Sequence, residues 1–262
     1  MEKAYITIIL DKSGSMNCGL RQTISGYNEQ VQAIKNGLDP KIETIVTFIQ
    51  FNENVDPIFI NESADQLVEL DNNTYVPNGM TAMYDAVEYA CDALDASEGI
   101  DEDDTSVLLV VISDGADNRS RCDKTDLAER IQSYQATGRW TITYMGANQD
   151  LGQVKSVLSV DAGNITTFDA SNAQGYAGAM ANASAGLGSY MATRSVGQMK
   201  SASFYADPND VTAPDPSVKS SDLNAGGDEL WAGQVVANNI NIDQALARAA
   251  RGGVITDSTE SV

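Results

Sequence analysis

Across the first 195 residues, nearly unbroken apolar runs alternate with segments whose apolar residues recur every three to four positions. Ala4-Tyr-Ile-Thr-Ile-Ile-Leu10 and Ser106-Val-Leu-Leu-Val-Val-Ile112 lack polar alternation, the pattern of strands buried on both faces of a parallel sheet. Ile42–Phe51, Val55–Ile60, Trp140–Met145 and Asn164–Phe168 read as further strands. Asn52-Glu-Asn54, between the second and third, is too short for a crossover and predicts a hairpin with one antiparallel edge strand. Ile24, Tyr27, Val31, Ile34 and Leu38 predict a helix over Thr23–Leu38, with Gly37 and Pro40 at its end. Met83, Ala86, Val87, Ala90, Cys91 and Leu94 mark another over Ala82–Leu94. Helices are also expected over Lys124–Gln135, Leu151–Leu158 and the alanine-rich Ala173–Thr193. Repeated alternation of strand and helix predicts an α/β fold: a doubly wound, Rossmann-like, mainly parallel sheet with helices on both faces.

The texture changes after residue 195. Ala206-Asp-Pro-Asn-Asp-Val-Thr-Ala-Pro-Asp-Pro216 has linker composition. Asp243-Gln-Ala-Leu-Ala-Arg-Ala-Ala-Arg251 reads as a short helix with an acidic start and a basic end, closed by Gly252-Gly253. Leu230, Trp231, Val235, Val236, Ile240 and Ile242 before it are too apolar for a mere flexible tail. The expected organisation is a domain over 1–195 followed by a C-terminal linker and short helical extension over 196–262, which docks in cis or binds another protein.

A net charge of −21 argues against general affinity for nucleic acid or anionic membranes, both of which select basic surfaces. The acidic run Glu98-Gly-Ile-Asp-Glu-Asp-Asp104 is expected to be a solvated loop. Cys18, Cys91 and Cys122 form no CxxC pair and no disulfide framework, which suits a reducing compartment. Met1-Glu-Lys leads straight into a strand without an apolar leader, and no apolar stretch nears the roughly 18 residues of a membrane span. A cytoplasmic location, or one within a phage-infected cell or virion, is therefore expected.

The candidate chemistry lies at strand ends, where such sheets bind ligands. Asp11-Lys-Ser-Gly-Ser15 follows the first apolar run, and Ser113-Asp-Gly115 follows the strongest. Asp11, Ser13 and Ser15 offer hard oxygens of the type that suits magnesium, calcium or manganese. The chain has no histidine, so a zinc site of the usual kind and a His-based triad are excluded. Asp117, Asn118, Asn78 and Gly79 read as turn residues, and Ser113 as a hydrogen-bonding residue within its loop.

Asp-x-Ser-x-Ser at Asp11–Ser15, a Gly-x-Thr loop ending at Thr81, and a strand ending in Ser113-Asp-Gly together resemble the von Willebrand factor A domain. The resemblance covers about residues 3–195 and is closest to soluble, stand-alone bacterial and phage members, which Gln22–Asn28 and Trp140…Gly146-Ala-Asn-Gln-Asp150 also resemble. It implies a metal-ion-dependent adhesion site at Asp11, Ser13, Ser15, Thr81 and Asp114. By the same resemblance the serines contact the ion, the threonine joins them or sits behind a water, and the aspartates act through waters or hydrogen bonds. Magnesium is the implied cofactor, with manganese or calcium as alternatives. A site of mostly neutral ligands leaves the ion electrophilic, with a position for a partner's Asp or Glu.

Catalysis finds little support. Haloacid-dehalogenase phosphatases need an aspartate where Ser13 stands, and a hydroxyl does not shuttle protons at neutral pH as a carboxylate does. The serines also argue against a receiver domain, and no Gly-x4-Gly-Lys-Ser/Thr loop is present for nucleotide. The expectation is a non-enzymatic module that binds a protein partner through its metal; the resemblance makes an AAA+ ATPase a candidate. The alternative is a structural or assembly protein, for instance of a phage particle, that uses the domain and its C-terminal tail for contacts. The oligomeric state stays open.

Overall fold

In the computed structural model, residues 1–147 and 151–205 are described. Their elements run β1 (Glu2–Asp11), α1 (Leu20–Asn36), β2 (Ile42–Phe51), β3 (Val55–Ser63), α2 (Met83–Asp95), β4 (Thr105–Ser113), α3 (Lys124–Ala136), β5 (Trp140–Gly146), α4 (Leu151–Leu158), β6 (Ile165–Thr167) and α5 (Ala173–Arg194). The strands form one sheet in the order β3-β2-β1-β4-β5-β6. All neighbours pair in parallel except β2 and β3, the hairpin that the Asn52–Asn54 connection predicts.

The apolar runs divide between two cores. Ile6, Ile8 and Leu10 of β1 and Leu108, Val110 and Ile112 of β4 face α1 and α5. Tyr5 and Ile9, with Val107, Leu109 and Val111, face the other way, toward α2, α3 and α4. Both central strands therefore need apolar residues at almost every position, which is why they read as unbroken runs. α1 and α5 approach closely at Gly26, where an added Cβ would lie 2.1 Å from Met180 Cβ.

Both ends of α1 differ from the sequence reading. α1 starts at Leu20 rather than Thr23, because Gly14–Gly19 winds into a 3₁₀ turn that feeds the helix. It stops at Asn36, where Gly37 N–H bonds back to the Ala33 and Ile34 carbonyls; Leu38 lies beyond it and is exposed. Residues 196–205 also return to the body: Phe204 is buried, and its N–H donates to Asn164 Oδ1 at 2.7 Å. The linker at 206–216, the helix at Asp243–Arg251 and Asn148–Asp150 lie outside the described residues. Among those described, no helix is long and apolar enough to cross a membrane.

Candidate metal centre

β1 and β4 are adjacent, and the chain leaves their carboxyl ends toward opposite faces of the sheet. A crevice at such a divergence is where open α/β sheets place ligands. β1 ends in Asp11, which is fully buried. Its Oδ1 accepts the Ser13 N–H at 2.6 Å and its Oδ2 accepts the Ser113 hydroxyl at 2.6 Å. The Asp11 carbonyl accepts the Tyr75 hydroxyl at 2.5 Å. Burial pushes the Asp11 carboxyl up to about 6, with the Ser113 and Ser13 hydrogen bonds opposing and the Asp114 charge assisting.

Ser13 Oγ and Ser15 Oγ lie 3.1 Å apart, and Ser15 Oγ donates to Asp114 Oδ1 at 2.5 Å. The other Asp114 oxygen accepts the hydroxyl of Tyr176, from the first turn of α5. One carboxylate thus joins the first loop, the end of β4 and α5.

The loop before α2 is fixed by backbone and amide contacts. Asn78 N–H donates to the Lys12 carbonyl at 2.8 Å, and Gly14 N–H donates to the Gly79 carbonyl at 3.1 Å. Asn52 Nδ2 holds Asn78 through its carbonyl and its side chain, at 3.2 and 3.0 Å. Met80 N–H donates to Glu53 Oε2 at 2.7 Å. Thr81 is gripped from both sides: its N–H donates to Asn118 Oδ1 at 3.0 Å, and its carbonyl accepts the Asn118 and Arg119 N–H groups at 3.0 and 3.1 Å. Gly115 lies between the loops; a Cβ there would sit 3.4 Å from Ser15 Oγ and 3.5 Å from Thr81 Oγ1.

The donor set fits a hard divalent cation. Adjacent ligands at about 2.1 Å from a magnesium ion lie about 3.0 Å apart in an octahedron, close to the 3.1 Å between the two serine hydroxyls. Among the described residues no three His, Cys, Asp or Glu side chains are grouped to hold a metal. The crevice instead gathers three hydroxyls around two carboxylates, a chemistry for ions that prefer oxygen and keep water.

All five residues named from the sequence come to this one crevice. Others there have roles that their sequence context does not signal. Asp117 is not a surface turn residue: its carboxylate accepts the Tyr84 N–H at 3.3 Å at the start of α2 and the Ser120 hydroxyl, and it faces Lys124 Nζ at 3.5 Å. Asn118, also read as a turn residue, holds Thr81. Ser113 reaches across to Asp11 as well as to the Gly115 carbonyl at 3.1 Å. Tyr75 and Tyr176 carried no local signal beyond being tyrosines near, respectively, the Gly-x-Thr loop and the start of a helix.

Solved structures share this architecture at low identity. Proximal thread matrix protein 1 from the mussel byssus is 14% identical with a TM-score of 0.50, over 68% of this chain and 46% of that one. A second structure of that mussel protein, with a zinc-occupied MIDAS motif, is 14% identical with a TM-score of 0.50, over 67% and 46% of the two chains. A von Willebrand factor type A protein from Catenulispora acidiphila is 18% identical with a TM-score of 0.47, over 71% of this chain and 43% of that one. The chain spans less than half the length of each of these structures. No curated protein matches its sequence. The profile of the von Willebrand factor type A domain matches residues 6–177, and the chain belongs to that family.

Proposed function

We propose that the chain is a metal-ion-dependent protein-binding module, of the stand-alone bacterial or phage type, in which Asp11, Ser13, Ser15, Thr81 and Asp114 form an intact adhesion site. The observation that carries this reading is the meeting of the Ser13 and Ser15 hydroxyls at 3.1 Å beside Asp114, with Thr81 across Gly115. A divalent ion held there supplies an electrophilic coordination position for a partner's Asp or Glu. Asp11 aims the serine loop, Asn118 aims Thr81, and Tyr176 fixes Asp114. Magnesium is the favoured ion, with manganese or calcium as alternatives. The zinc-occupied MIDAS of the mussel byssus protein supports a divalent ion at this place and adds zinc to those worth testing.

Exposed Val76 and Met80 lie in the loop that leads to Thr81 and support a protein partner. An AAA+ ATPase is a candidate on family grounds; the charge of −21 speaks against nucleic acid and anionic membranes. Binding is favoured over catalysis because the chain has no histidine and each site carboxylate already accepts two hydrogen bonds. Cys18, Cys91 and Cys122 are free thiols, which supports a cytoplasmic location.

The test is calorimetric titration of the full chain and of Ser13→Ala with magnesium, manganese, calcium and zinc, followed by capture of an acidic peptide with and without chelator. Uptake of one ion, weakened about tenfold or more by the substitution, and chelator-sensitive capture are expected. Absence of uptake at millimolar ion, or equal capture in chelator, overturns the proposal.

A further inference from the structure

The arginines of the described residues fall into two groups. Arg130 is paired with Asp92 and Asp95, Arg139 donates to the Ile100 and Thr105 carbonyls, and buried Arg194 reaches Glu2, Ser106 and the Asp104 carbonyl. Arg21, Arg119 and Arg121 are exposed, and among the described residues their guanidiniums have no ion-pair or hydrogen-bond partner. Arg119 and Arg121 lie in the loop after Asp114. Arg119 is bonded through its backbone to the Thr81 carbonyl, and Arg121 through its backbone to Asp85 Oδ1 at 2.8 Å.

In a chain of net charge −21, free guanidiniums would ordinarily find a carboxylate nearby. The carboxylates of this region are otherwise engaged. Asp85 accepts the Arg121 and Cys122 N–H groups, Asp117 holds the start of α2 with Ser120, and Asp123 caps α3 through the Thr125 and Asp126 N–H groups. These loop acids are directed at backbone and hydroxyl donors and, for Asp117, at Lys124, which leaves Arg119 and Arg121 exposed on the loop whose backbone meets Thr81 and Asp85.

We infer that Arg119 and Arg121 form a cationic rim that selects a partner segment with clustered Asp and Glu, one carboxylate going to the ion and its neighbours to the guanidiniums. This rests on the metal-site reading and names its partner class. The ion accepts any carboxylate, so alone it discriminates little between acidic partners. Planar guanidiniums add bidentate, salt-sensitive contacts that only a multiply acidic segment satisfies. Like-charge repulsion from the rest of the surface makes that discrimination local to this rim.

The experiment measures binding of two fluorescent peptides to the magnesium-loaded full chain. One peptide is hexaglutamate; the other carries a single Glu among Ser and Gly. Wild type is expected to prefer hexaglutamate, with a preference that shrinks as salt rises. Arg119→Gln with Arg121→Gln is expected to lower hexaglutamate affinity about tenfold, leaving single-Glu binding, magnesium uptake and the thermal midpoint unchanged. An unaltered preference in the double variant overturns the rim while the metal reading survives. Binding of both peptides undiminished by chelator overturns the metal reading and the rim with it. Arginine-dependent binding of an oligothymidylate tighter than hexaglutamate overturns the peptide assignment.

Discussion

Replacing Asp11 with asparagine is expected to make the cation-free protein more stable and to abolish its response to cation. Asp11 has no solvent exposure, and burial raises its carboxyl from 3.8 to about 6 even with two hydrogen bonds opposing the rise. At neutral pH the folded chain therefore holds this carboxylate ionised at a cost of about 3 kcal/mol relative to the unfolded chain. Asparagine keeps the shape and, through Oδ1, the bond from Ser13 N–H. Its amide would face Ser113, whose hydroxyl must turn toward the Gly115 carbonyl, which offsets about 1 kcal/mol. A net gain of about 2 kcal/mol remains. The pH dependence carries the same sign: a raised carboxyl favours folding fully below pH of about 4, and that contribution is lost as pH rises through about 6. In Asp11→Asn this decline should disappear. Urea unfolding followed by circular dichroism, in chelator at pH of about 4.5 and about 7.5, measures both effects. Repetition in millimolar magnesium should stabilise wild type by mass action and leave the variant unmoved. An Asp11→Asn protein less stable than wild type in chelator at neutral pH would refute the reasoning, because the carboxylate would then be a structural asset.

Asn118→Ala removes the acceptor of the Thr81 N–H; cation affinity by calorimetry should fall about tenfold, with an unfolding cost of only about 1–2 kcal/mol. Gly26→Val forces side-chain atoms into Met180 and should cost about 1–3 kcal/mol in thermal unfolding, with the site unchanged in cation titrations. Asp71 accepts the Asn73 and Thr74 N–H groups and the Thr74 hydroxyl, which hold its carboxyl down at about 2. Its carboxyl carbon should therefore titrate in NMR near 2, the turn keeping its order above pH of about 4 and losing it as pH falls through the folded value.

What was legible in the sequence was whatever a run or a short motif encodes. β1 and β4 announce themselves because both faces are buried, so no polar residue interrupts them. Asp11, Ser13 and Ser15 sit within five residues of one another, directly after such a run. The 3₁₀ turn at Gly14–Gly19 was not legible, since its residues have no helical apolar spacing and only Met16 and Gly19 are buried. Asn118 and Asp117 were not legible either. Their partners, Thr81 and Tyr84, lie 37 and 33 residues away, and an Asn or Asp in a polar loop looks the same whether it faces water or a backbone amide. Tyr176 is hidden for the same reason: its ring belongs to the core pattern of α5, and only its hydroxyl reaches Asp114.

The two cores on either side of the sheet meet the crevice separately. The serine loop leads into α1, packed in one core, while Thr81 precedes α2, packed in the other. An ion bound by both would act as a suture across the seam, making the two layers open together rather than one at a time. Amide exchange in α1 and in α2, distinct in the bare protein, would then slow in step once the seam is closed.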